Sequence, residues 1–315
     1  MKDWSNSLVL PSPVDKVFHS SLQDFTGALY IKREDIIHPD FGGNKWRKLV
    51  YNLREFERGS YSHIITMGGP FSNHIAATAE ACATFGYPSV GIIRGMMKDL
   101  NNPTLSKAKK AGMEIRHVPK DAYRNGKKSL AISQILKEYP VPYFIPEGGS
   151  NKLALKGVRE LMYELHQYEE LYDYIIVAAG TGTTAAGIIS ASNEEVIVIN
   201  VLKNQGLHDS IRSKLDPSLN HWRINHDYHF GGFAKTTEEL ISFINNFKIE
   251  TGIPLDPIYT GKAMYATLDL ISKKQFDGKR ILFIHTGGLQ GVTAYIYLRK
   301  DKTRLILDVC SLIMD

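Results

Sequence analysis

Lys45 stands in "DFGGNKWRKLV", residues 40–50, directly behind Gly42, Gly43 and Asn44. The two glycines let the backbone turn sharply or approach a ligand closely. Asn44 is a good helix N-cap, which places Lys45 in a first helical turn. The helix dipole disfavours a cation there. Lys45 is therefore either an ordinary exposed charge or an amine wanted in its neutral, nucleophilic form.

Three other stretches carry groups suited to chemistry. In "AAGTGTTAAG" (178–187), Gly180 and Gly182 allow backbone N–H groups to converge, and Thr181, Thr183 and Thr184 add hydroxyls. A helix start behind such a loop offers its N-terminus to an anion. The lysine of a Walker A loop is missing. Alanine at the third glycine position, and no ribose-binding acid at the end of "VIVINVLKN", speak against a dinucleotide site. A tight strand-to-helix turn, a phosphate cradle and a dinucleotide site all stay open locally. In "FSNHIAATA" (71–79), Ser72, Asn73 and His74 sit at a helix start, as caps or as a carboxylate-binding group. In "LDPIYTGKAM" (255–264), Tyr259 and Thr260 precede a glycine and another helix. A lone tyrosine there is ordinarily a packing residue. Together the set comprises an amine, a phosphate loop, a carboxylate-binding helix start and a phenol. Pyridoxal phosphate chemistry asks for that inventory. No cluster has metal-ligand spacing, and no GxSxG elbow is present.

The elements that must position these groups alternate. Strands read at 28–34, 62–68, 89–94, 114–118, 172–180, 195–201 and 280–288. Helices read at 44–57, 72–85, 103–111, 127–138, 152–168, 184–192, 239–247, 262–274 and 289–300. This alternation predicts an α/β protein with mainly parallel sheets. Ligands in such sheets bind beyond the carboxyl ends of the strands, where the "GGPFSNH", "GTGTTAAG" and "TGG" turns fall. A chain of 315 residues has length for two domains. Its net charge of +5 is spread along the chain. The densest basic stretch, 109–128, lacks an aromatic–basic motif and reads as a solvated face, so no nucleic-acid partner is expected. Cys82 and Cys310 are far apart and fit a reducing compartment. No long apolar N-terminal region or membrane-length run is present, so no membrane partner is expected and the cytoplasm is the default location.

Six ordered stretches, "IKREDIIHPDFGGNKWRKL", "GGPFSNHIAATA", "PEGGSNKLALKG", "AAGTGTTAAG", "LDPIYTGKAM" and "FIHTGGLQG", resemble the 1-aminocyclopropane-1-carboxylate (ACC) deaminase/D-cysteine desulfhydrase family. The resemblance covers roughly residues 8–298; "RLILDVCSLIMD" lies outside it. It implies a two-domain, fold type II, tryptophan-synthase-β-like α/β architecture of mainly parallel twisted sheets with helices on both faces. Residues 1–49 and 158–315 would form the large cofactor domain and 50–157 a small α/β domain. It implies pyridoxal 5′-phosphate as cofactor, a small amino acid as substrate and a homodimer. Lys45 then falls on the Schiff-base lysine and Lys48 on a phosphate-contacting lysine. Asn73 falls beside the cofactor's 3′-oxygen. Ser72, Asn73 and His74 form the substrate-carboxylate loop, Gly180, Thr181, Gly182, Thr183 and Thr184 the phosphate loop, and Tyr259 an acid/base or substrate contact. ACC deaminases carry "YEG" where this chain has "YTG". Neutral Thr260, with Thr286 of "FIHTGG", places hydroxyls at the ring nitrogen, as in the D-cysteine desulfhydrase branch. Phe233 stands where the family has another active-site tyrosine, and keeps the ring without the hydroxyl. The expected activity is elimination on D-cysteine to pyruvate, ammonia and sulfide. The alternatives are ACC deamination, a non-catalytic protein that binds the cofactor or another phosphate ligand, and a dinucleotide-dependent oxidoreductase.

Overall fold

The computed structural model describes residues 4–96, 102–165, 167, 168 and 170–299. In chain order its strands are β1 (Val14–Lys16), β2 (Ala28–Arg33), β3 (Ile64–Gly68), β4 (Ser89–Arg94), β5 (Glu114–Val118), β6 (Tyr143–Ile145), β7 (Tyr174–Ala179), β8 (Glu195–Asn200), β9 (Trp222–Asn225) and β10 (Arg280–His285). Its helices are α1 (Asn44–Arg58), α2 (Asn73–Phe85), α3 (Pro103–Lys110), α4 (Lys120–Arg124), α5 (Leu130–Lys137), α6 (Lys152–Leu165), α7 (Thr183–Ile189), α8 (Leu207–Arg212), α9 (Glu238–Thr251), α10 (Thr260–Ser272) and α11 (Gln290–Leu298).

Two sheets result. One has six strands in the order β1-β2-β10-β7-β8-β9, the other four in the order β5-β4-β3-β6. Every pairing is parallel except β1 with β2. β7 shows why. Ile176 and Ala178 point into one core cluster with α9 and α10, while Ile175, Val177 and Ala179 point into a second with α6 and α7. Both faces are covered, so the strand reads as an unbroken apolar run. The four-stranded sheet is built from residues 64–145, and the six-stranded sheet takes strands from both ends of the chain.

The expected boundaries at 49/50 and 157/158 fall inside α1 and α6. α1 continues because Trp46, Leu49, Leu53 and Phe56 form one apolar stripe, packed with Ile64, Ala77 and Ile145 of the smaller unit. α6 packs tightly on it: a Cβ on Gly157 would lie 1.9 Å from the Arg47 carbonyl oxygen. A buried ionic cluster locks this arrangement. Arg47 bonds Glu34 at 2.7 and 2.8 Å and Glu164 at 2.7 and 2.8 Å, and Lys32 bonds Glu164 at 3.0 Å. The paired forks fix the orientation of the helix that carries Lys45.

Several elements differ from expectation. Residues 127–138 yield only α5, preceded by the separate short α4. β1, β6, β9 and α8 carry too little local pattern to be read and exist through their neighbours. The stretch 304–315 and Cys310 lie outside the described residues.

Candidate active site

Turns after β3, β6, β7 and β10 converge with the start of α1 on one cavity of about 170 Å³. Its lining brings together Lys45, Lys48, Ser72, Asn73, His74, Gly180, Thr181, Gly182, Thr184, Phe233, Tyr259 and Thr286. Two expected site residues stand outside it. Thr183 is buried and shares a 2.7 Å hydrogen bond with the Ser150 hydroxyl. Thr260 is fully buried; its hydroxyl donates to Asp256 Oδ2 at 2.7 Å and accepts from the Asp256 N–H at 2.9 Å. Those bonds engage the Thr260 hydroxyl with Asp256, outside the lining; of the two threonines expected at the ring nitrogen, Thr286 is the one that lines the cavity.

Lys45 occupies the first turn of α1, as expected, but the cap differs. Gly43, with φ +74°, is the N-cap and makes no side-chain cap bond. Asn44 begins the helix instead. Its Oδ1 accepts from Lys45 Nζ at 2.7 Å, and its Nδ2 donates to Thr184 Oγ1 at 3.0 Å. Burial pulls the Lys45 amine down to about 8, against the opposing pull of Asp256. Desolvation thus outweighs the nearby carboxylate.

One turn on, Lys48 is buried, and among the described residues its amine makes one long bond, 3.4 Å to the Gly148 carbonyl. Burial, then the amines of Lys45 and Lys214, hold it well below the ordinary lysine range. Lys214 reaches Ser210, whose hydroxyl donates to the Thr181 carbonyl at 2.8 Å. Gly182 takes φ +82° as N-cap of α7 and offers no side chain, so the first-turn N–H groups lack a side-chain cap. Tyr259 lies against the same loop: a Cβ on Gly180 would sit 3.2 Å from its ring. Burial, then Asp256, raises its phenol above the usual range, so it stays protonated.

On the other wall Ser72 caps α2, its hydroxyl accepting from the Ile75 N–H at 3.4 Å. Asn73 donates to the Gly288 carbonyl at 3.4 Å. His74 is 1% exposed, with Nε2 2.8 Å from Thr66 Oγ1. Burial, then Lys45 and Lys48, push its imidazole down to about 3, so it is neutral. Phe233 is 55% exposed at the mouth.

Sequence reasoning missed the groups that tune this cavity. Asp256 is fully buried and accepts from the backbone N–H groups of Ile258, Tyr259 and Thr260, each at 2.8 Å. The Asp-Pro at 256–257 is the turn signal that could have found it. Fully buried Lys262 donates to the carbonyls of Val201, His229 and Gly232 at 3.2, 2.8 and 2.8 Å, holding the loop that carries Phe233. Lys214 and Ser150 had no local signal.

Under-bonded Lys48 and the uncapped start of α7 suit a phosphate, and the lowered Lys45 amine suits an aldehyde carbon. Pyridoxal phosphate carries both groups, so the residues fit it. Among the described residues no group of three or more His, Cys, Asp or Glu could hold a metal, and no helix is long and apolar enough to cross a membrane.

Known proteins agree with this fit. Residues 8–287 match the family described as pyridoxal-phosphate dependent enzyme. A bifunctional D-cysteine desulfhydrase/1-aminocyclopropane-1-carboxylate deaminase of Arabidopsis thaliana is 33% identical, over 90% of this chain and 77% of its own. A D-cysteine desulfhydrase of Klebsiella pneumoniae is 29% identical, over 90% and 94%. The solved structure of an ACC deaminase homologue superimposes with TM-score 0.79 and 31% identity, covering 96% of this chain and 95% of that one. The chain belongs to the pyridoxal-phosphate-dependent enzymes of fold type II, among the ACC deaminase and D-cysteine desulfhydrase relatives, and pyridoxal phosphate is its cofactor.

Proposed function

We propose that this enzyme is a lyase that eliminates sulfide from D-cysteine, giving pyruvate and ammonia, with ACC deamination as the second reading. The observation that carries this choice is that neutral Thr286, just past the end of β10, lines the cavity. The carboxylate on that side, Asp256, is taken up by three backbone N–H groups and the Thr260 hydroxyl. Glu147, also in the lining, belongs to the wall built by the four-stranded sheet. A neutral partner for the ring nitrogen suits elimination, in which a leaving group carries off charge. The plant relative's name covers both activities and the Klebsiella relative's only the desulfhydrase.

Pyridoxal phosphate, when bound, withdraws electrons from the substrate's α-carbon. The chain's residues do the rest. Lys48, the 180–184 loop and the α7 start hold the phosphate. Lys45 would hold the cofactor's aldehyde carbon through its amine and would be the base placed to hold the α-proton. Tyr259, protonated at neutral pH, serves as an acid and not as a base. Ser72 and Asn73 hold the substrate carboxylate at the start of α2. Phe233 closes the mouth with an apolar ring. We place the smaller unit, about residues 50–157, as the part that closes on substrate, and we take the assembly to be a cytoplasmic homodimer by likeness to the family.

The test is product analysis with purified, cofactor-loaded protein. Sulfide and pyruvate should appear from D-cysteine, and Lys45→Ala should abolish both. Ketoacid from ACC with no sulfide from D-cysteine would overturn the choice in favour of the second reading.

A further inference from the structure

His74 carries an unmet hydrogen-bonding demand. It is 1% exposed and lines the cavity, and its Nδ1 has no partner among the described residues. The opposite nitrogen decides what Nδ1 is. Thr66 has a single hydroxyl proton, and it lies 2.9 Å from the Ile145 carbonyl, which can only accept. Thr66 therefore donates to Ile145 and accepts from His74, so the ring proton sits on Nε2. Nδ1 is left as a buried bare lone pair. Gly149 lies against the same edge of the ring, where a Cβ would sit 3.2 Å from the imidazole Cε1 and 3.6 Å from Nδ1, so no side chain there crowds the lone pair. A bare Nδ1 and a carboxylate oxygen would set two lone pairs against each other, so any part of His74 in the expected carboxylate loop falls to its backbone N–H at the start of α2.

We propose that His74 is a specificity-determining residue, whose Nδ1 accepts a hydrogen bond from a donor on the β-substituent of the substrate. The assignment rests on the lyase reading above and follows by exhaustion of the substrate's groups. The carboxylate has no proton to give and is served by Ser72 and Asn73. The amino group is taken up by the cofactor. Only the β-substituent remains, and a thiol or hydroxyl satisfies Nδ1 whereas the methylenes of ACC cannot. Leaving a buried acceptor unpaired costs about 1–3 kcal/mol, a preference of about 5- to 150-fold for a donor-bearing substrate.

Two measurements on the cofactor-loaded protein test this. Long-range ¹H–¹⁵N NMR, with His74 assigned by its absence in His74→Gln, should show Nε2 protonated and Nδ1 bare. Adding D-serine should move the Nδ1 resonance, and adding D-alanine should not. Equilibrium binding should favour D-serine over D-alanine by about 5- to 150-fold. A proton on Nδ1, or equal binding of the two amino acids, overturns the assignment, even if sulfide is made from D-cysteine. Absence of sulfide together with bare Nδ1 and D-serine preference sinks the desulfhydrase choice and leaves the His74 assignment standing. The wild-type measurements need no variant to fold.

Discussion

Lys262→Met removes a clamp whose strength can be reckoned bond by bond. The amine is fully buried and spends all three donors on the carbonyls of Val201, His229 and Gly232. Methionine fills the same volume without a donor, so three acceptors lose their partner. His229 and Gly232 lie on the loop after β9, next to exposed Gly231 and Phe233, and can reach water if that loop moves. The Val201 carbonyl belongs to a buried residue at the end of β8 and stays dry. One orphaned carbonyl costs about 1–3 kcal/mol, and that is the expected stability loss. The thermal midpoint should fall by a few degrees, since about 2–4 °C accompanies each kcal/mol in proteins somewhat smaller than this. The loop should respond more strongly, because the buried anchor that α10 sends to His229 and Gly232 is gone, and only the Tyr228–Asp269 hydrogen bond and the Phe230–Tyr265 ring contact still tie it to that helix among the described residues. Phe230 and Ala234 hold φ of +51° and +54°, which the loop would relax on release. Amide exchange at residues 229–235 should accelerate, with KM for the amino acid rising more than kcat falls. An unchanged thermal midpoint together with unchanged exchange at 229–235 would refute the clamp.

Three further outcomes follow from the charges. The rate at which cofactor-free protein captures pyridoxal phosphate should climb about tenfold per pH unit and flatten above pH 8, because only the neutral Lys45 amine reacts and burial brings it down to about 8; stopped-flow absorbance that keeps climbing past pH 9 would show an ordinary lysine. Asp256→Asn removes the charge that raises the Lys45 amine, so that plateau should move to lower pH; an unmoved profile would show that Asp256 does not act on Lys45. Arg47→Leu leaves fully buried Glu34 without its fork and half-buried Glu164 with Lys32 alone, and should cost about 3–5 kcal/mol in denaturant unfolding, where a loss below about 1 kcal/mol would show the cluster to be slack.

Much of the fold was legible because its strands are long and doubly buried. β7, β8 and β10 each run six residues with five buried, which leaves one periodicity to read. β6 is three residues, Tyr143–Ile145, and is a strand only because β3 offers its edge at Ile64–Thr66. No local pattern encodes an edge supplied by residues nearly eighty positions earlier. The expected boundaries fall inside helices for a similar reason: the apolar stripe of α1 packs into the smaller unit and that of α6 onto β7 and α7, contacts that no local pattern in either helix announces.

The site divides along the same physical line. Lys45 and the 180–182 loop were readable because glycines in turns announce a backbone doing something unusual at that point. Asp256, Lys262 and Lys214 announce nothing, since their meaning comes from what the fold brings to them. Lys262 in "YTGKAM" reads as one more helix lysine, yet α10 is buried on nearly every side and the amine is turned onto a distant loop. Asp256 matters most. Its charge raises the amines of Lys45 and Lys262 and helps hold the Tyr259 phenol protonated. Burial alone would take Lys45 lower, into a form that is neutral but a weaker base. With Asp256 opposing burial the amine rests at about 8, so about one molecule in ten is neutral at pH 7. On the role proposed for Lys45, that balance would leave it both nucleophilic enough to link a cofactor and basic enough to hold an α-proton. A base needs a pKa near the working pH for both halves of such a cycle, and here the setting comes from a carboxylate that touches neither reactant.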